Sequence, residues 1–583
     1  MRSYNMEDMV ESLRRRILAA RKEIPADLVL KNGNVINLFT GEIDRKEIAV
    51  LDGIIIGVGA DYHGKEEIVL KDKWVVPGFI DGHIHIESSM LPPSLLAPEL
   101  LCHGTTAIVS DPHEIANVMG LEGIRFMLED SRSIPFDIFF TASSCVPATP
   151  LETSGATLRA NDLKELIDEP QIIGLAEMMN FPGVLMGDQD VLEKLILFRE
   201  KTVDGHCPTL MGHNLQACIA AGIGSDHETI SMEEGLEKVR KGMMLMIREG
   251  TSAKNLKDLL PLVTYRNAGR FCFVSDDLHP EDIEKRGHLD YVIKTAVGMG
   301  LDPVMAIQLV TLSPARYFGL KGRGAIAPGY RSDLVILDDL VTFKISSVYK
   351  DGLLVVDHGK LLNFPVKKSS ARLMEHKPLN IAKLKLDNFR IPHMGTKARV
   401  IEIIPGQLLT HTLYEEVKSE DGFVVSDIQS DILKICVVER HHASGNVGLG
   451  LVKGFGLKQG AIASSVAHDS HNIIAVGVND KEIMRAVEEV SCMGGGLAVV
   501  LNDKVISGVP LEIAGIMSAQ PLKTLVKQLN RVKEAARQSG CDLEEPFMNL
   551  SFLALPVIPE LKLTDMGLVD VNRFEIVPIF VDI

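Results

Sequence analysis

The chain reads as an α/β protein: a (β/α)8 TIM-like barrel inserted into a small β-sandwich domain, with a C-terminal α+β domain after it. Three observations predict this. Eight short apolar runs recur between residues 74 and 276 and alternate with helix-like stretches, the rhythm of a parallel sheet with helical crossovers. The segment that carries them, 75–323, has the usual barrel size of about 250 residues. Turn-rich β segments with a different pattern flank it, at 25–74 and 324–375.

Taken in order, residues 1–24 hold a short amphipathic helix with Met9, Leu13, Ile17 and Leu18 on one stripe. The stretch ADLVLKNGNVINLFTGEIDRKEIAVLDGIIIGVG then alternates β-rich runs with N-G, T-G and D-G turns, a compact meander. A matching pattern, GAIAPGYRSDLVILD and ISSVYKDGLLVVDHGK, returns at 324–360. The two pieces are expected to form one small domain whose chain is interrupted by the barrel. The barrel runs are WVVPGFI (74–80), TTAIVS (105–110), FDIFFTAS (136–143), QIIGLAE (171–177), TVDGH (202–206), AGIGSDH (221–227), MMLMIRE (243–249) and FCFVSD (271–276). A Lys-rich, Pro-containing connector leads into residues 385–583, where β runs surround a Gly-rich middle and a helix lies near the end.

Composition narrows the function. With 46% hydrophobic and 24% charged residues the chain is an ordinary globular protein. Its net charge of −17 argues against a partner such as nucleic acid or an anionic membrane, and leaves a small neutral substrate open. No run approaches the roughly 18 apolar residues of a membrane span. The N-terminal stretch lacks an apolar signal core, and the eight cysteines never form C-x-x-C. A cytoplasmic protein with reduced thiols is expected.

In such a barrel the functional groups gather at the C-terminal ends of the strands. Those positions hold His83 and His85 after run one, Asp111, His113 and Glu114 after run two, Glu177 at run four, His206 at run five, Asp226 and His227 at run six, and Asp276 and Asp277 at run eight. His83 and His85 are two residues apart on a strand, so they point the same way and can share an ion. Imidazole and carboxylate donors without thiolate suit Mn(II), Fe(II) or Zn(II). The set His83, His85, Glu177, His206, His227 and Asp276 exceeds the needs of one open catalytic ion. It suits two ions bridged by a carboxylate. A lone histidine is more often a hydrogen-bonded structural residue; the repetition at successive strand ends carries the metal reading. Glu177 fits a bridging ligand, or else a barrel-interior acid paired with a base. Asp276 is preferred over Asp277 because it follows directly on Ser275 at the strand end.

The run VPGFIDGHIH (76–85) resembles the strand-one signature of the amidohydrolase superfamily, and GAIAPGYRSDLV (324–335) resembles the return to that superfamily's small β-domain. More specific are HIHIESSML (83–91), SDPHEIANVMG (110–120), VPATPLETSGA (146–156), AEMMNFPGV (176–184), GIGSDHE (222–228), SDDLHPEDI (275–283) and GLGLVKGFGLKQGAIASSVAHDSHNI (448–473). Together they resemble the adenine deaminase family of bacteria and archaea over nearly the whole chain. Superfamily members often bridge their metals with a carboxylated lysine on strand four; Glu177 stands there instead, which fits this subgroup. The resemblance implies purine salvage by hydrolysis of adenine to hypoxanthine and ammonia, with a binuclear Mn(II) or Fe(II) site and Zn(II) as a third option. Homo-oligomers are common among such barrels.

The residues suit that chemistry. Carbon 6 of adenine is a poor electrophile, so the attacking water must be ionised and the ring protonated. Asp276 is the candidate to take a proton from the nucleophile and pass it to the leaving amine. Glu114 is the candidate acid for a ring nitrogen, against the alternative of a loop acid bonded locally. His113, Glu87 and Asp277 are candidate substrate contacts. The pair His85 and Glu87 matches H-x-E of the zinc nucleobase editors, but their P-C-x-x-C is missing; H-E-x-x-H and G-x-x-x-x-G-K-[ST] are also missing. His468, Asp469 and His471 read as an extra metal site, a lid over the barrel mouth, or a locally satisfied polar loop, the last being preferred. Two other functions compete: another metal-dependent amidohydrolase acting on a cyclic amide or a different aminopurine, and a non-catalytic assembly module. The full ligand set argues against the second.

Overall fold

The computed structural model describes residues 6–132, 134–251, 253–362, 379–404 and 407–581. The expected limit of the second β segment at 375 lies outside them.

Eight parallel strands build the centre. Phe79–Ile84, Thr105–Ser110, Asp137–Ala142, Ile172–Met178 and Thr202–Gly205 bond in that order, and Ser225–Asp226, Met244–Arg248 and Phe271–Val274 bond in theirs. The two arcs meet at both edges. Ile84 bridges Asp276 in parallel, and the Gly224 N–H donates to the Val203 carbonyl at 2.9 Å. Alternate residues divide between two cores, as period-2 strands require. Ile80, Ala107, Val109, Met244, Met246, Cys272 and Val274 fill the interior of the ring. Phe79, Ile108, Phe140, Leu245, Ile247 and Phe273 pack outward with the helices. Burial on both faces explains why these runs are apolar throughout.

The first run divides differently from its expected span. Trp74–Pro77 pairs antiparallel with Leu334–Leu337 in the small β-domain, and the barrel strand begins at Phe79. Gly78 is the crossing point: a Cβ there would lie 2.2 Å from the Thr106 hydroxyl oxygen, so only glycine fits. The flanking β segments do come together, in one nine-stranded sheet. The long strand Ala26–Ile36 is shared between its arms: Ala26–Lys31 runs beside Gly64–Val69, and Asn34–Val35 beside Trp74–Val75. One core, with Leu28, Val50, Ile55, Val75, Leu334 and Tyr349, is lined by both arms.

Asp137, at the start of the third barrel strand, ties barrel to β-domain. Its Oδ2 accepts from Lys350 Nζ and Arg323 Nη2, both at 3.0 Å. Burial opposes its charge, but these two cations pull its carboxyl down to about 2. A carboxylate depressed in the folded state stabilises above its unfolded pKa and loses that contribution as pH falls through the folded one. Asp137→Asn is therefore expected to cost about 2 kcal/mol at pH 7, with the gap to the parent closing below pH ~3. Urea unfolding at both pH values checks this.

The N-terminal helix spans Met6–Ala20, and its stripe of Met9, Leu13 and Ile17 is exposed. The C-terminal region forms an eight-stranded sheet in the order Thr410–Glu416, Lys397–Ile403, Val447–Lys453, Ile432–Val438, Ile473–Gly477, Ala461–Ser464, Gly496–Leu501 and Lys504–Pro510. The helix Asp480–Cys492 covers one face through Ile483, Ala486, Val487 and Val490. Residues of the other face, such as Leu433, Ile435, Ile462 and Ile474, belong to the same core as the barrel's outer shell. The loop between Ser464 and Ile473 is thereby held against the barrel. Among the described residues no helix is long and apolar enough to cross a membrane.

Candidate metal centre

The strand ends converge as the alternation argument requires. His83 and His85 leave the first barrel strand with rings edge to face, centroids 4.8 Å apart, and His83 stacks on His227 at 4.2 Å. Glu177, from the fourth strand, reaches both sides of the group. Its Oε1 lies 3.3 Å from His85 Nε2, while its Oε2 lies 2.6 Å from His206 Nδ1 and 3.1 Å from His227 Nε2. Asp276 Oδ1 sits 3.3 Å from His85 Nε2 and 3.6 Å from His83 Nε2. All are buried except His206, which is partly exposed.

Three features show that this donor set fits divalent cations. Donor atoms on a common ion with bonds of roughly 2.1 Å lie roughly 3–3.5 Å apart, close to most of the separations here. The His85 Nδ1 faces the Asp111 carbonyl at 3.2 Å; only a protonated Nδ1 bonds there, so Nε2 keeps its lone pair for a metal. His83 Nε2 and His227 Nδ1 are buried without any hydrogen-bond partner, an expense that a ligand at His83 would remove. Burial works against the charges of Glu177 and Asp276, yet the histidines around Glu177 and the Arg248 guanidinium beside Asp276 hold both well below the carboxylate range.

A second group lies beside the first. Glu114 opens the helix His113–Met119 and meets two residues of the C-terminal loop, with Oε1 3.3 Å from His468 Nδ1 and Oε2 3.4 Å from His471 Nε2. His113 Nδ1 is 3.1 Å from Asp111 Oδ2, and its Nε2 is 3.8 Å from Asp469 Oδ1. Asp277 stands off the metal cluster and accepts from the Ser88 hydroxyl. Glu87 Oε1 accepts the Ile115 N–H at 3.1 Å while Oε2 has no partner. Burial, then the charge of Glu114, push its carboxyl up to about 8. Asp226, also at a strand end, is turned away into a structural knot with Lys238 and the Cys207 and Thr229 N–H groups.

Residues 74–355 match the amidohydrolase family, and residues 407–575 match the adenine deaminase C-terminal domain. The adenine deaminase of Desulfatibacillum aliphaticivorans is 49% identical over 97% of this chain and 99% of its own. That of Dehalococcoides mccartyi is 49% identical over 98% and 100%, and that of Methanothrix thermoacetophila 46% over 97% and 99%. The chain belongs to the adenine deaminase family. As a member with an amidohydrolase barrel and this donor cluster, it has a divalent metal site.

In this adenine deaminase family member two further groups, absent from the set expected from sequence, stand at the centre. Arg248 ends the seventh strand, donates from Nη1 to Asp276 Oδ2 at 2.7 Å, and is paired through both terminal nitrogens with Glu228. The strand-end rule points to Arg248, but a search confined to histidines and acids skips a cation. Arg248→Met would leave the buried Asp276 and the half-buried Glu228 without the cation that pairs with both. The change is expected to lower stability by about 3 kcal/mol and to slow turnover, checked by thermal unfolding alongside steady-state kinetics.

Proposed function

We propose that this chain hydrolyses adenine to hypoxanthine and ammonia, in purine salvage, at two divalent cations, Mn(II) or Fe(II), with Zn(II) as a third option. The observation that carries the reading is the position of Glu177, one oxygen toward His85 and the other toward His206 and His227, in a chain whose relatives are adenine deaminases along their full length. His83, His85, Glu177, His206, His227 and Asp276 would hold the cations, with Glu177 between them. When bound, the pair lowers the pKa of water toward neutrality and so supplies a nucleophile.

The chain's own groups handle the protons. Asp276, kept ionised and oriented by Arg248, accepts a proton from the attacking water and passes it to the amino nitrogen as ammonia departs. Glu114 delivers a proton to a ring nitrogen. Burial opposes charge on both groups, but Glu114 raises the His468 imidazole to about 9 and the His468 and His471 rings hold Glu114 well below the carboxylate range, so the proton that Glu114 relays to the ring comes from His468. His113, Glu87 and Asp277 line the substrate side. Adenine is neutral, so the net charge of −17 does not repel it. We also assign the protein to the cytoplasm, as a homo-oligomer without nucleic-acid or membrane partners. Residues 78–323 serve as the catalytic domain, 25–77 with 324–362 as the β-domain, and the described residues from 385 onward as the C-terminal domain.

Ammonia release from adenine by metal-stripped and Mn(II)-loaded protein tests the reading. Turnover that requires added metal is expected. Turnover of guanine or a hydantoin with none of adenine would move the assignment to another amidohydrolase.

A further inference from the structure

We propose that His471 and His468, carried by the C-terminal domain, are positioning residues that grip the two oxygens of Glu114 and aim this carboxyl at the purine. The C-terminal domain then completes the active site and is more than a support for the barrel. The proposal rests on the reading of Glu114 as the group that delivers the ring proton.

The tautomer of His471 carries the argument. The Ala467 N–H donates to His471 Nδ1 at 3.2 Å, and the His471 N–H returns a 2.7 Å bond to the Ala467 carbonyl. A backbone N–H only donates, so Nδ1 accepts, and the neutral ring carries its proton on Nε2. That nitrogen is buried, makes no hydrogen bond in this structure and has Glu114 Oε2 as its nearest acceptor at 3.4 Å, so a small turn of the carboxyl completes the bond. The same proton leaves Nε2 no lone pair for a cation, so the trio Glu114, His468 and His471 is a poor additional metal site. A ligating histidine normally donates from its other ring nitrogen, the reverse of this arrangement.

Both rings are fixed from behind. His471 is fully buried, and its carbonyl accepts from the Arg440 guanidinium. His468 lies flat on Phe552, with centroids 4.4 Å apart and planes 22° from parallel. On the barrel side the Ser88 hydroxyl, which donates to Asp277, is 3.4 Å from Glu114 Oε1. Glu114 is thus held between the loop that follows His85 and the C-terminal loop, and its own helix does not set the carboxyl orientation alone.

The test uses the full-length, metal-loaded protein and adenine kinetics. His471→Leu is expected to lower kcat at least tenfold, with KM within threefold of the parent and metal content unchanged. His471→Gln, whose side-chain N–H replaces the lost donor, is expected to return kcat to within threefold. In a Glu114→Gln background, His471→Leu is expected to cost nothing further, because its effect runs through Glu114. Equal losses for the leucine and glutamine variants, or a loss that persists undiminished in the Glu114→Gln background, would overturn the proposal. If Glu114→Gln alone turns adenine over at the parental rate, the reading of Glu114 fails. If that variant is slow while His471→Leu is not, the reading stands and the grip is refuted.

Discussion

Glu177→Gln is expected to strip the protein of at least half of its bound metal and to reduce adenine turnover far beyond the roughly 10–100-fold that losing an outer partner of a metal site costs. The substitution keeps the side-chain shape, so the barrel should remain intact. What changes is charge and direction. Among the described residues Glu177 is the one carboxylate in contact with His85, His206 and His227 together. An amide presents a neutral oxygen to one side and an N–H donor to the other, and the donor repels a cation. Elemental analysis of the purified variant and its kcat, measured together, check the two halves of this expectation.

Asp276→Asn should act differently. An amide that accepts from Arg248 turns its N–H toward His83 and His85, which weakens the hold on the ion there, and it cannot take up a proton from the nucleophile, so kcat is to be measured at matched metal content. Loss of a positioned general base costs about 10²–10⁴-fold in rate, and the loss should fall on kcat with KM for adenine little changed. A variant that kept parental kcat would remove Asp276 from the proton path.

Much of this centre is legible in the amino-acid sequence. The eight runs announce the barrel because strands buried on both faces are apolar throughout, and the strand-end rule then picks out His83, His85, Glu177, His206, His227 and Asp276 together. The limits have physical causes. Pro77 and Phe79 are both buried and apolar, so composition does not reveal that the chain changes sheets between them; the Gly78 contact with Thr106 does. Asp226 shares its strand-end position with His227, yet Lys238 on the next helix draws it away. Arg248 and Glu228 neutralise each other, and nothing local in the sequence shows that Asp276 completes the trio. The His468–His471 loop is ambiguous in sequence because its partner, Glu114, lies in a different domain.

The proposed reaction requires two divalent cations, one on each side of Glu177. The most direct measurement is the anomalous diffraction of Mn(II)-loaded crystals, with stoichiometry taken from the same preparation. Two manganese peaks per chain are expected, one among His83, His85 and Asp276 and one beside His206 and His227, with Glu177 touching both. A fully active preparation with a single ion, or with its ions away from these side chains, would contradict it.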